Sequence, residues 1–298
     1  MAWLLISITG YFSNAVAILT DKILLNKLVS HPAVYAFFVS LFSLLAILLV
    51  PFGFNLPSLA VFVISMAAGI IFTFALLLLY TALQQGEVSR VDPLVGGTSP
   101  IFVLIFAWLI IQETLSAVQI AAFFIILIGG YLISAGDGKS KANLSPKIIL
   151  LGLCSAGLFA LSQVLTKWVY IHDSFVSGLI WRSIGSFVGS MILLAIPLYR
   201  REIIDSFKHP KTKTGAIFLA GQFFGGASFV LINYAFSLGP IALVNALAGM
   251  QYIFLFMLIL PISRKFPHLL EENMSTRIII QKIISLVIIT LGIYILFA

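Results

Sequence analysis

Three cations stand inside stretches that otherwise carry almost no charge: Arg182 in SFVSGLIWRSIGSF, Lys167 in SQVLTKWVY and Lys22 in AILTDKILL. A charge at the centre of an apolar span costs about 2.5–3.5 kcal/mol on insertion scales, so each one needs a reason. A guanidinium in such a place binds a carboxylate or phosphate, or pairs with an acid in a gate; the alternative is an arginine reaching back to the nearer interface. The acids that suit Lys22 are Asp21, Glu87 and Asp92, and those that suit Lys167 are Asp173 and Glu113. Asp21, Lys22, Glu87, Asp92 and Lys167 are therefore the candidates for gating or coupling. Against this stands the reading of Lys22 and Lys167 as helix-end lysines that snorkel.

A second set is polar but mostly uncharged. Asp92, Gly96 and Ser99 recur at four- and three-residue spacing, and so do Asn245, Gly249 and Tyr252, which puts each trio on one helix face. Ser7, Asn14 and Asp21 form a stripe at seven-residue spacing; Gln163 precedes Lys167 by one turn, and Tyr80, Gln222 and Asn233 complete the set. Amides offer both donors and acceptors, which suits a zwitterionic or hydroxylated solute. The substrate-binding candidates are Asn14, Tyr80, Asp92, Ser99, Gln163, Arg182, Asn233, Asn245 and Tyr252, with a cavity bordered by Asn14, Asp92, Gln163 and Asn245. For any one of these residues, bonding between helices is the competing role. Asp92 precedes Pro93 and has two readings: a helix cap, or a desolvated carboxylate suited to proton coupling. Trp181, Tyr234 and Tyr252 could flank a ring.

The elements that must position these groups follow from composition. Hydrophobic residues make up 61% of the chain and charged residues 9%, against about 45–50% and 25% in soluble domains. This is a membrane protein. The uncharged runs 33–80 and 215–263 exceed the ~20 residues that one helix needs to cross ~30 Å of hydrocarbon, so each holds more than one span. Turn residues divide the chain into ten predicted helices, over 2–21, 31–50, 57–83, 88–111, 115–134, 146–168, 175–198, 214–237, 240–262 and 277–297. Pro32, Pro57, Pro146 and Pro240 sit near helix starts, where a missing N–H costs little. No period-two alternation over ~10 residues supports a β-barrel. The first apolar stretch lacks a basic leader and reads as a span, not a signal peptide. Cys154 is the only cysteine, which excludes an intramolecular disulfide or a cysteine metal cluster, and it reads as a small buried residue.

The chain also repeats itself. YTALQQGEVSRVDPLVGG from Tyr80 aligns without a gap on NYAFSLGPIALVNALAGM from Asn233, matching Ala82, Gly86, Val91, Leu94 and Gly96 to Ala235, Gly239, Val244, Leu247 and Gly249. Leu19-Thr20-Asp21-Lys22 is echoed by Leu165-Thr166-Lys167. With five predicted helices per copy, the second copy enters the membrane inverted, and inverted halves are the basis of alternating access. The pairs that differ, Asp92/Asn245, Arg90/Leu243 and Thr98/Gln251, are where the two sides become unequal. The expected organisation is a first repeat over 1–135, a polar linker over 136–146 and a second repeat over 147–298.

The net charge of +7 points to no nucleic-acid partner, because the basic residues crowd onto one set of loops. Lys22, Lys27, Arg90, Lys139, Lys141, Lys147, Arg200, Arg201, Lys208, Lys211, Lys213, Arg264, Lys265 and Arg277 fall on odd connections, and Lys167 alone falls on an even one. The positive-inside rule then places the odd loops in the cytoplasm and both termini outside. The basic loop from Tyr199 to Thr214 is expected at the lipid surface.

The Tyr-Thr-Ala and Tyr-Ala helix ends followed by Gly86 and Gly239, the next helix with internal Gly and Pro, and Gln112-Glu113-Thr114-Leu115-Ser116 together resemble the drug/metabolite transporter superfamily, in its EamA-like branch. Glu272-Asn273-Met274-Ser275 repeats the Glu-x-x-Ser spacing. The resemblance runs over residues 3–297. It implies ten helices in two inverted repeats around a cavity lined by the first, third, fourth, sixth, eighth and ninth. It also implies movement of amino acids, other metabolites, nucleotide sugars, organic phosphates or drugs, commonly by proton coupling or exchange; export across a bacterial or archaeal plasma membrane is the expectation for this chain. It places both termini in the cytoplasm, opposite to the charge bias of this chain.

The leading expectation is a secondary transporter of a small polar metabolite, an amino acid or related compound. It uses no cofactor and no metal, and has lipids, and protons as coupling ion, for partners; it is expected to be a monomer. An exchanger of anionic or phosphorylated metabolites is the alternative, on the strength of Lys22, Lys167 and Arg182. From another class, a membrane enzyme acting on lipid phosphates would need acids clustered with bases; Asp21, Glu87 and Asp92 with Arg90 come nearest. Glu113 and Glu272 are explained as helix-start acids with Ser116 and Ser275 as caps. No HExxH, GxSxG or P-loop motif occurs, and an enzyme is not expected.

Overall fold

The computed structural model describes residues 2–24, 31–86, 88–134, 145–208, 215–265 and 276–297. Among them every regular element is helical. The helices are α1 (Ala2–Leu24), α2 (Pro32–Phe42, continued by a 3-10 segment Ser43–Phe52), α3 (Leu59–Gln85), α4 (Val88–Ile111), α5 (Ala117–Ser134), α6 (Pro146–His172), α7 (Phe175–Ala195), α8 (Pro197–Lys208), α9 (Gly215–Leu238), α10 (Ile241–Ala246, continued by a 3-10 turn Leu247–Gly249), α11 (Met250–Lys265) and α12 (Thr276–Phe297). By length and composition seven described stretches can cross a membrane, and three shorter apolar helices lie within α5, α9 and α12. The side chains of Asp21 and Lys22, residue Glu87, most of the expected linker and the Glu272–Ser275 segment lie outside what is described.

The caps follow the sequence. Pro32 and Pro146 open α2 and α6 at positions whose N–H would have no intrahelical partner. Ser174 accepts from the Ser177 N–H at 3.2 Å to start α7. At α5 the Ser116 N–H donates to Gln119 Oε1 at 2.9 Å while the Gln119 N–H donates to Ser116 Oγ at 3.2 Å, a reciprocal capping box.

Four sequence expectations are corrected. The stretch 31–50 is α-helical only to Phe42 and continues as a 3-10 helix over Ser43–Phe52, at whose end the Pro51 ring would clash with the Ile47 carbonyl in an α-type turn. The stretch 175–198 stops at Ala195, ahead of Pro197, and the loop expected from Tyr199 begins as α8. The stretch 240–262 is interrupted at Leu247–Gly249. Cys154 is exposed, because its side of α6 is not the one packed on α3 and α4.

The chain forms two compact units, neither continuous in sequence: 1–28 with 114–143 and 212–298, and 29–113 with 144–211. In the first, α1 packs along α9 and α11, and α5 packs along α12. In the second, α3 is flanked by α6 and α7, α4 lies on α6, and α2 and α8 complete the packing. Close approach depends on glycine. A Cβ on Gly69 would fall 2.1 Å from the Arg182 carbonyl oxygen, and one on Gly185 would fall 2.5 Å from that of Met66, so the α3 and α7 backbones touch there. The aligned glycines Gly86 and Gly239 do comparable work in their own units, against Ile148 at the start of α6 and Trp3 at the start of α1.

Candidate functional site

Helix α6 carries Gln163, Thr166, Lys167 and Tyr170 at i, i+3, i+4 and i+7, a polar stripe on one face of an otherwise apolar helix. Arg182 reaches this stripe from α7, its Nε donating to Thr166 Oγ1 at 3.1 Å. Thr166 Oγ1 in turn donates to the Ser162 carbonyl at 2.7 Å, and Ser162 Oγ to the Ala68 carbonyl at 2.7 Å. A chain of hydroxyls thus ties the guanidinium to α6 and α3.

The side chain of Arg182 does not reach back along α7 toward Ser174. Its Cζ lies 4.5 Å from the centroid of the Phe72 ring, and Phe72 is the middle residue of α3. A snorkelling side chain would extend toward the helix end near Ser174; this one lies over the centre of a spanning helix and is 3% exposed. The cost of such a position is what makes it a candidate binding group.

Lys167, 8% exposed, is the second buried cation of the stripe. Of the two acids expected near it, Glu113 is the one whose charge acts on it. Gln112 ends α4 with φ of 53°, and the Glu113 N–H bonds back to the Ala107 carbonyl at 3.1 Å. This left-handed residue just past Ile111 ends the helix and fixes the start of the Glu113 side chain. Asp173 instead accepts from the Ser174 N–H through Oδ1 at 2.7 Å. Gln163 Oε1 is buried and has no hydrogen-bond partner among the described residues. The second unit therefore holds Lys167 and Gln163 on the α6 stripe, Arg182 on α7 and Glu113 just after α4.

The remaining candidates divide between the units. Asp92, Ser99 and Tyr80 belong with Gln163, Lys167 and Arg182, whereas Asn14, Asn233, Asn245 and Tyr252 belong to the other unit. Asp92 lies in the second turn of α4, so it is not that helix's cap; Val91, Val95 and Val103 form the buried side, and Asp92, Gly96 and Ser99 share a more accessible one. Tyr80 packs on Tyr35, with ring centroids 4.3 Å apart. Asn233 and Asn245 donate to their own helices, at Phe229 and Ile241. Asn14 donates to Gln251 Oε1 at 2.5 Å, and Tyr11 to the Val244 carbonyl at 2.9 Å, beside the 3-10 turn.

Sequence reasoning passed over Thr166, Tyr170 and Phe72 as partners of Arg182; the signal was the helical spacing of the stripe. It also passed over Tyr11 and over Lys282, whose Nζ lies 4.0 Å from the centroid of the Phe256 ring.

The geometry can be set beside known proteins. The model of the EamA-like transporter family matches the chain from its first residue through the end of α5. Residues 1–135 are thus similar to the EamA-like transporter family. EamA-like proteins are membrane transporters and not enzymes, and the match, with the apolar helices, indicates a multi-pass membrane transporter of small molecules. The EamA-like segment holds Asn14, Tyr80, Asp92, Ser99 and Glu113, while Gln163, Lys167 and Arg182 follow it. A solved crystal structure, described only as that of a protein, is 13% identical and superposes with a TM-score of 0.70 over 99% of this chain and 96% of its own. That likeness concerns the fold. No curated protein matches the chain at the sequence level.

Proposed function

We propose that the protein is a secondary active transporter that exports a small zwitterionic metabolite, an amino acid or a close relative, by alternating access. In this reading ten helices span the membrane as two inverted five-helix repeats, 1–135 and 147–298, joined by the linker 136–146. The observation that carries the substrate class is the α6 stripe with Arg182. Two buried cations there suit a carboxylate, and Gln163 Oε1 and Glu113 suit an ammonium group. A hydrophobic solute would gain nothing from these groups and would leave them desolvated.

Alternating access rests on the aligned stretches from Tyr80 and Asn233 and on the matched packing of Gly86 and Gly239. Lys167 and Glu113 serve in this scheme as a charge pair that opens when the substrate carboxylate takes the place of Glu113. Asp92, on the accessible side of α4, is the proposed carboxylate for proton coupling.

A second reading, exchange of phosphorylated metabolites, is favoured by the same two cations taken without Gln163 and Glu113. Thermal unfolding of the purified protein against a panel of amino acids and sugar phosphates separates the two. Stabilisation by amino acids that disappears in Arg182→Gln supports the first reading. Stabilisation by sugar phosphates alone supports the second, and none from either panel contradicts both.

A further inference from the structure

The helix α8 has no place in a scheme of spanning segments, and its residues suit a different ligand. Ile203 is fully buried in a cluster with Ala33, Ala36, Phe37, Leu76, Leu77 and Leu193. Glu202 pairs with His31 at 3.5 Å, just ahead of α2. Phe207 meets Phe38 with ring centroids 5.3 Å apart, and Phe38 stacks on the exposed Phe42 at 6.2 Å. These contacts fix α8 at the Pro32 end of a candidate span, Pro32–Phe52. The Phe207 edge of α8 therefore leads down α2 toward hydrocarbon.

On that edge Arg200, Ile204 and Phe207 recur at i, i+4 and i+7, all three exposed, with the exposed Arg201 beside them. Neither arginine has an ion-pair partner among the described residues. The chain then continues with Lys208, Lys211 and Lys213. An apolar edge continuous with a spanning helix, topped by two exposed guanidinium groups, matches an anionic phospholipid in shape and charge. A phosphate at Arg200 and Arg201 would put the first part of an acyl chain along Ile204 and Phe207.

We infer that α8 is a binding site for an anionic phospholipid, held through Arg200 and Arg201 at the membrane surface. The inference is independent of the transported solute. The probe is the full-length protein in nanodiscs of phosphatidylglycerol and phosphatidylcholine, with retained lipid counted by native mass spectrometry. The wild-type protein is expected to retain phosphatidylglycerol in preference to phosphatidylcholine, and each of R200Q and R201Q to reduce that preference about fivefold. K147Q, which removes an exposed charge at the start of α6, is expected to leave it unchanged. Both arginines are exposed, so helix content by circular dichroism should match the wild type. Equal retention in the wild type and the R200Q and R201Q variants overturns the assignment, as does an equal loss in K147Q, which would mark a diffuse effect of surface charge.

Discussion

Arg182 and Thr166 face one another across α7 and α6, with Nε 3.1 Å from Oγ1, and the guanidinium they hold lies over Phe72 at the middle of α3. This places a fixed positive charge at the centre of a spanning helix with its orientation set by a neutral hydroxyl. The orientation depends on a planar fork, which lysine lacks. Arg182→Lys is therefore expected to retain charge but lose transport by about tenfold or more, corresponding to ~1.4 kcal/mol. Thr166→Val, which keeps shape and removes the acceptor, should weaken transport less while lowering stability by about 0.6–1.7 kcal/mol. Initial rates in proteoliposomes and unfolding midpoints would check the pair; full activity in Arg182→Lys would show that the fork is not used.

The α3–α7 contact is built on absent side chains. A Cβ at Gly69 would meet the Arg182 carbonyl oxygen and the Ser186 nitrogen at 2.1 and 2.3 Å, and both are backbone atoms that cannot swing aside. Gly69→Ala should destabilise by about 1–3 kcal/mol through overpacking and shift Arg182 away from Thr166. Gly157→Ala on α6, where a Cβ meets nothing within 4 Å, should be neutral or stabilising by up to ~1 kcal/mol. Equal unfolding midpoints for the two variants would refute the close approach.

In the other unit, the 3-10 turn at Leu247–Gly249 is bordered by Tyr11 on the Val244 carbonyl and Asn14 on Gln251. Tyr11→Phe is expected to cost about 0.6 kcal/mol, the average for hydrogen bonds between membrane helices, and no more than ~1.7 kcal/mol, the largest found. A double-mutant cycle over Asn14→Ala and Gln251→Ala should give a coupling of similar size. Strict additivity would show that the Asn14–Gln251 bond contributes nothing.

The helical architecture was legible because hydropathy and proline placement report backbone needs directly: Pro32 and Pro146 stand at helix starts as expected, and α4 spans Val88–Ile111 as read. What failed to read were places where tertiary packing prevails over local pattern. The sequence around Tyr199 looks like a basic loop, yet Ile203 finds a buried seat and the segment winds into α8. The interruption at Gly249 has no local breaker other than the glycine itself, which approaches Gly130 too closely for any side chain. For the site, the charges of Lys167 and Arg182 were visible as anomalies. Their grouping with Thr166 and Phe72 needed the crossing of three helices, which no spacing within one helix encodes.

Lys167 and Glu113 should behave as a pair. Removing either partner alone leaves a charge in an apolar setting, which is costlier than removing both. Glu113→Gln and Lys167→Gln are each expected to reduce stability and transport, and the double variant to recover part of the lost stability. If the double variant is as unstable as the sum of the singles, measured by unfolding midpoint, the two charges do not interact.

The central claim is that Arg182 and the α6 stripe receive a zwitterionic solute during transport. Counterflow in proteoliposomes loaded with unlabelled amino acids tests it most directly, with sugar phosphates as the comparison. The account predicts that an internal amino acid accelerates entry of the labelled compound, that sugar phosphates do not, and that Arg182→Gln abolishes the acceleration while the protein remains folded. Acceleration by sugar phosphates alone, or amino-acid counterflow unchanged in Arg182→Gln, would contradict it.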